Sequence, residues 1–248
     1  MKCVVLLVIL GVVTAKPTQR IVNGEDATPN EFPHIVSLQA SFLGFVWNHS
    51  CGGTLITSNY VLTAAHCVDE YQYTSKICFV LKYYFENPGY DSNAAGYPND
   101  IALLRLSSPA ILLTGFVETI ELSPDDSYDG VSVILAGWGK LKGSDSGTSK
   151  LLQKVSMPVI SQSACTSEWS GVSGAAVLET HICVFDPSFG TSACNGDSGG
   201  PMYCPNGNGG INVCGVTSWG ESGCGGTRPS VYGRVSKFLN WIRANTDL

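Results

Sequence analysis

The chain has 248 residues, of which 44% are hydrophobic and 14% charged; this excludes a disordered chain and suits one large all-β unit or two small barrels. Its formal charge is −6; without residues 1–20, which carry Lys2, Lys16 and Arg20 and no acid, 11 basic side chains face 20 acidic ones, a charge of −9. So acidic a surface repels phosphate backbones and argues against nucleic acid as a partner.

Residues 1–15 read MKCVVLLVILGVVTA: a lysine, an apolar run, then small residues. This is the pattern of a secretory signal. The run is too short to span a bilayer, and no other segment is long and apolar enough, so no membrane partner is expected. Export to the extracellular space places the cysteines where disulfides form and persist. There are ten cysteines, one of them Cys3 in the signal; the remainder is odd, so at least one thiol stays free or pairs with another molecule. No cysteine spacing resembles a zinc site, and neither metal nor cofactor is expected. A monomer is the default.

Beyond the signal, short β-branched and aromatic runs recur between turn residues, the mark of strands. In chain order they include HIVSLQA (34–40), TLIT (54–57), YVLTAAHC (60–67), DIALLRL (100–106), SVILAGWG (132–139), KVSMPVI (154–160), VCGVTSW (213–219) and SVYGRV (230–235). Strands at this density predict sandwiches or barrels. Two segments read as helices: 161–169 behind a Ser161 cap, and 236–245, where Phe238, Leu239, Trp241 and Ile242 share one face behind Ser236. The strand-poor stretch 120–130 is the expected crossing between two halves.

Three motifs carry chemistry. In Gly196-Asp197-Ser198-Gly199-Gly200-Pro201 the glycines allow a tight turn that exposes the serine and lets backbone N–H groups face a developing oxyanion. A serine hydroxyl is a poor nucleophile until a base takes its proton. Among His34, His49, His66 and His181, only His66 sits between small residues and beside a cysteine that can anchor it, in Ala64-Ala65-His66-Cys67. Asp100 opens the apolar run Asp100-Ile101-Ala102-Leu103-Leu104. Taken singly, each has a plain structural reading: a glycine loop, a core histidine, a strand start.

Together with Ile21-Val22-Asn23-Gly24 and Ser218-Trp219-Gly220, and in the order His, Asp, Ser, these motifs resemble the chymotrypsin-like serine peptidase family from Ile21 to the C-terminus. The resemblance implies an all-β fold of two packed antiparallel β-barrels of the six-stranded type, roughly 21–120 and 131–235, with a C-terminal helix. Residues 1–15 are then the signal, 16–20 an activation propeptide and 21–248 the peptidase domain. It further implies a secreted endopeptidase acting on protein or peptide substrates. His66 takes the proton of Ser198 and returns it to the leaving amine, while Asp100 holds the imidazole. The N–H groups of Gly196 and Ser198 form the oxyanion hole, and Ser218, Trp219 and Gly220 pair with substrate backbone. Activity is expected to fall as pH drops through about 6 to 7, where an imidazole protonates.

By the same resemblance, an activating protease cuts between Arg20 and Ile21, and the new ammonium of Ile21 turns inward to pair with Asp197. Ser192 stands at the floor of the primary specificity pocket, with Gly220 and Ser230 on its walls. A neutral hydroxyl there cannot compensate a buried lysine or arginine, so cleavage after Phe, Tyr, Leu or Met is expected. Three family bridges map onto Cys51–Cys67, Cys165–Cys183 and Cys194–Cys224. Val133 occupies the common partner position of Cys204, so a cross-hairpin Cys204–Cys214 bridge is expected instead, leaving Cys78 over.

One segment departs from the family. The spacing from His66 to Asp100 is about ten residues below the family's usual length, more than a typical strand. A shortened first barrel without a calcium loop is expected. A non-catalytic relative acting as a binding protein is therefore the competing reading. Asn48-His49-Ser50 is a glycosylation sequon adjoining a strand and Cys51.

Overall fold

The computed structural model describes residues 24–41, 47–69, 76–77 and 81–248. The expected signal and propeptide, Arg20, Ile21 and Cys78 lie outside the described residues.

The strands are β1 (Glu25–Asp26), β2 (Ile35–Ser41), β3 (Asn48–Leu55), β4 (Tyr60–Thr63), β5 (Lys76–Ile77), β6 (Leu81–Glu86), β7 (Ala102–Leu106), β8 (Ser132–Gly137), β9 (Gln153–Ile160), β10 (His181–Val184), β11 (Pro201–Pro205), β12 (Ile211–Trp219) and β13 (Ser230–Arg234). The helices are short: α1 (His66–Asp69), α2 (Gln162–Glu168) and α3 (Leu239–Asn245).

The strands form two sheets. The first has six strands in the order β5-β2-β3-β4-β7-β6, and the second has seven in the order β1-β9-β10-β13-β12-β11-β8. Antiparallel pairing of β8 with β9, from Ser132↔Pro158 to Gly137↔Gln153, closes the second sheet into a six-stranded barrel with β1 added at its side. The first sheet ends on β5 and β6 among the described residues. Residues 120–130 cross between the two and hold no strand, only a bridge from Leu122 to Val213.

Burial explains why these runs are strands. In β9 the buried positions Gln153, Met157 and Val159 are separated by partly exposed or exposed ones, the period-two pattern of a strand with one face on the core. β4 and β10 are buried throughout, because they lie inside their sheets and are covered on both faces. One core fills the first sheet around Leu55, Val61, Val68 and Leu104. Another fills the closed barrel around Val133, Met157, Ile182 and Tyr232. A third joins the halves: Leu62 and Leu103 from the first pack with Tyr203 and Val216 from the second and with Ile242 of α3.

Both helices expected from the sequence form, with one difference. Ser161 caps α2, its hydroxyl accepting from the Ala164 N–H at 3.2 Å. The C-terminal segment opens instead with a 3-10 turn over Val235–Phe238, and α3 starts at Leu239 without a side-chain cap. Ser236 lies inside that turn and its hydroxyl binds the Asp126 carboxylate, so the acid has taken the group that otherwise caps the helix. No described helix is long and apolar enough to cross a membrane.

Among the described residues four disulfides brace the fold: Cys51–Cys67, Cys165–Cys183, Cys194–Cys224 and Cys204–Cys214. Cys204 stands opposite Asn212, two residues from Cys214. The last bridge thus runs diagonally across the β11–β12 hairpin.

Candidate active site

β4 and β7 are antiparallel neighbours, with Thr63 opposite Ala102. The chain therefore leaves β4 and enters β7 at the same end of the sheet. His66, just after β4, and Asp100, just before β7, meet there although 34 residues separate them. The missing length falls between these two strands and leaves their pairing intact.

Asp100 contacts His66 twice. Its Oδ1 accepts from the His66 backbone N–H at 2.9 Å, and its Oδ2 from Nδ1–H at 2.7 Å. A third donor comes from the other half of the molecule: Ser218 Oγ–H to Oδ2 at 2.5 Å. The Asp100 side chain is 1% exposed and that of His66 28%, so the acid stands behind a ring that faces the cleft. Burial alone would raise the Asp100 carboxyl; hydrogen bonds and charge from His66, helped by Ser218, outweigh it and hold the acid below the ordinary range. With Nδ1 donating to a carboxylate, Nε2 is left as the basic nitrogen.

Ser198 reaches the same cleft from the turn before β11. His66, Ser198, Ser218 and Trp219 all line this space of about 620 Å³. The turn is fixed to the first sheet by the Gly52 N–H, which donates to the Ser198 carbonyl at 2.7 Å. Gly199 has φ +73°, and a Cβ on it would lie 2.2 Å from Thr63 Oγ1. Only glycine lets the turn that carries Ser198 approach β4 so closely.

The backbone around Ser198 divides its N–H groups. Those of Asp197, Gly199 and Gly200 donate to the carbonyls of Cys194, Thr217 and Asp197. Among the described residues, those of Gly196 and Ser198 have no protein acceptor. His49 secures this arrangement: its Nε2 binds the Gly196 carbonyl at 2.7 Å and its Nδ1 binds Ser37 Oγ at 2.8 Å, turning the peptide that follows Gly196 with its carbonyl away from the cleft. The sequence reading passed over His49, because a histidine in a strand carries no signal of a contact 147 residues away.

Asp197 is 4% exposed. Its Oδ1 accepts from the Gly139 N–H at 2.8 Å and its Oδ2 from the Cys194 N–H at 2.9 Å. Burial pushes its carboxyl up to about 6 despite these two donors. A Cβ on Gly139 would lie 2.3 Å from Asp197 Oδ2, so glycine is required for the backbone to close on the acid. Among the described residues no cation accompanies this carboxylate. Ile21, its expected partner, lies outside them.

A second cavity of about 220 Å³ adjoins Ser198 and is walled by Ala193, Thr217, Trp219 and Gly220. Ser192 and Ser230 are buried beside this wall. Ser230 Oγ accepts from the Ala193 N–H at 3.1 Å, while Ser192 Oγ has no partner among the described residues. Glu221 also lines the cavity, and its two oxygens accept from the N–H and hydroxyl of Thr227 at 2.9 and 2.5 Å.

Beyond His66 the cleft wall includes Asp69, Tyr90 and Tyr97, which the sequence did not single out. Tyr97 and Asn99 have φ of 48° and 55°. Such left-handed residues just before Asp100 turn the chain sharply into β7. The sulfurs of Cys51 and Cys67 lie within 4.8 Å of a His66 ring nitrogen, but they are joined to each other and cannot hold a metal.

The trypsin family model matches residues 21–242. The chain is similar to the fibrinolytic enzyme, isozyme C, of Lumbricus rubellus, at 38% identity over 91% of this chain and 100% of that protein. It is also similar to a chymotrypsin-like serine proteinase of Haliotis rufescens, at 39% identity over 97% of each. A buried acid, an imidazole and a serine meeting in one cleft agree with these likenesses: the chain belongs to the trypsin family and is a serine-type endopeptidase.

Proposed function

We propose that the protein is secreted as a precursor, is activated by cleavage after Arg20, and hydrolyses peptide bonds after Phe, Tyr, Leu or Met. The observation that carries the catalytic reading is the double contact of Asp100 with His66 at 2.9 and 2.7 Å in the cleft that holds Ser198.

In this mechanism a substrate strand lies along Ser218, Trp219 and Gly220, with one side chain in the 220 Å³ cavity and its carbonyl over Ser198. His66 Nε2 takes the hydroxyl proton as Ser198 Oγ bonds to the carbonyl carbon, and the carbonyl π-electrons move onto oxygen. The free N–H groups of Gly196 and Ser198 receive that oxyanion; one such donor contributes about 3 kcal/mol in the transition state. Asp100 stabilises the imidazolium. Collapse breaks the C–N bond, and His66 gives its proton to the leaving amine. Water, deprotonated by His66, then releases the acyl group.

Ser192 supports the specificity reading. Its buried hydroxyl offers no charge to a lysine or arginine entering the cavity. The relative's fibrinolytic name describes that earthworm protein.

Asp197 supports activation. A buried carboxylate lacking a cation is unfavourable, and a buried pair missing one partner costs about 3–5 kcal/mol. The ammonium released at Ile21 supplies the missing charge and locks the turn that carries Gly196 and Ser198. The disulfides and the residues 1–15 pattern support secretion, and a monomer is the simplest state.

The test is a fluorophosphonate probe. Labelling should require prior cleavage after Arg20 and vanish in Ser198→Ala. Folded, cleaved protein that takes up no label would instead identify a binding protein. A peptide library then reads the residue before the cut, and dominance of Lys or Arg there sinks the specificity.

A further inference from the structure

We propose that Asn48 carries an N-linked glycan, and that this glycan stands at the rim of the active-site cleft on the side receiving the leaving half of a substrate. The second part rests on the endopeptidase reading above; the first does not.

Asn48-His49-Ser50 is the chain's one Asn-X-Ser/Thr sequence without proline at X, the form that oligosaccharide transfer requires. Asn48 is exposed at the first position of β3. Transfer occurs on the emerging chain in the secretory pathway, before β3 pairs with β2, and the folded position leaves room for the product.

The residues just after Asn48 belong to the active site. His49 holds the Gly196 carbonyl at 2.7 Å. Ser50 and Cys51 line the cleft beside His66. The pairing of β2 with β3 shows how: Leu38 lies opposite Cys51 and Gln39 opposite His49. Ser50 is therefore the extra residue of a bulge, a device that re-aims side chains beside active sites. Asn48 lies two residues from Ser50, about 7 Å along a strand.

Ser50, Cys51 and His66 do not line the cavity walled by Trp219 and Gly220. That cavity takes the acyl half of the substrate, so the Ser50 flank takes the leaving half. A glycan at Asn48 is bulky and hydrated. It obstructs a folded protein surface pressed against this flank and leaves a short peptide unobstructed. The occupant thus shapes which macromolecules are cut without touching the catalytic groups.

The full chain should be secreted from a eukaryotic host and weighed intact before and after peptide N-glycosidase F. A hexose-bearing mass that this enzyme removes, with residue 48 recovered as aspartate, is expected; an Asn48 peptide found only unmodified overturns the proposal. After activation, kcat/KM should be compared on a short peptide amide and on a folded protein, with glycan present, with glycan enzymatically removed, and in Asn48→Gln. Removal should leave the short substrate within about twofold and raise the folded one by about threefold or more. Equal effects on both overturn the rim placement while the glycan stands. Enzymatic removal from folded protein keeps the comparison sound if Asn48→Gln folds poorly. Inactivity on every substrate overturns the endopeptidase reading, and the rim placement with it, whereas the mass still decides the glycan.

Discussion

Ser218 donates from the second half of the molecule to the same Asp100 oxygen that holds the ring of His66 in the first, at 2.5 Å against 2.7 Å. The acid is thus shared between the two sheets, and its ionised form is favoured by both. Replacing Asp100 by Asn presents an amide N–H or a neutral oxygen to Nδ1 and permits the wrong tautomer. We expect Asp100→Asn to lower kcat about 10⁴-fold with KM little changed, measured on a chromogenic peptide at pH 7 to 8. A loss below tenfold would remove Asp100 from the mechanism.

The proposed specificity rests on Ser192, which is buried next to Ala193 of the cavity wall. Ser192→Asp places a carboxylate beside the wall formed by Ala193 and Gly220. Activity on arginine and lysine substrates should rise by at least about tenfold relative to phenylalanine ones, with a stability loss of about 1–3 kcal/mol for the buried, unsatisfied acid. Paired single-residue substrates and urea unfolding check both.

Gly199 fixes how close the two sheets approach. Gly199→Ala forces a Cβ against Thr63 at a backbone angle of φ +73°. We expect at least about 2 kcal/mol of destabilisation and a larger fractional loss of kcat than of folding. Unchanged activity would show that the turn has room to shift.

The proposed activation predicts a pH-dependent stability difference centred on Asp197. Burial holds the folded carboxyl at about 6, well above the ordinary carboxylate range. The folded protein therefore binds the proton more tightly than the unfolded chain. Its penalty is absent below about pH 4, grows as pH rises through the folded value, and reaches about 3 kcal/mol above it. In cleaved protein the Ile21 ammonium should cancel this penalty. Urea unfolding of Ser198→Ala protein, cut and uncut, should diverge between pH 4 and 7, with the cut form the more stable at pH 7. Parallel curves would count against the pair.

His34 and His181 act in the opposite direction. Both are buried, and burial pushes each down to about 4. His181 Nδ1 accepts from the Leu178 N–H at 3.1 Å; its proton therefore sits on Nε2, which has no partner among the described residues. The neutral forms are favoured in the folded state, so their contribution is full above about pH 6.5 and is lost as pH falls toward 4, by about 3 kcal/mol each at most. Acid should thus destabilise the protein over that window, and His181→Gln should flatten the slope, as read from unfolding midpoints.

The sequence and the structure agree best where the signal is local. Val133 and Ile134, and Val155, Val159 and Ile160, announce strands as β-branched runs bounded by turn residues, and the Gly-rich turn announces the exposure of Ser198. The contact of His66 with Asp100 is not local. It became legible only through the order of motifs, and its physical cause, the pairing of Thr63 with Ala102, lies in the sheet register. β6, β10, β11 and the first half of β3 are not marked by such runs. His181–Val184 is four residues long and buried on both faces, so it shows no alternation. Pro201 at the head of β11 reads as a turn residue. The support of Gly196 by His49 was likewise invisible, since distant tertiary contacts leave no mark on periodicity.

Ser198 and His66 descend from different sheets, and beside the catalytic cleft these are linked by Gly52 to Ser198, Ser218 to Asp100 and His49 to Gly196. Turnover therefore gauges the docking of one half on the other more sensitively than either sheet's own integrity. A slip of about 1 Å between them, too small to melt a strand, is enough to lower catalysis about a hundredfold. Mild denaturant or a shear at the shared core around Leu103 and Tyr203 should silence the enzyme well before its β-sheet signature fades.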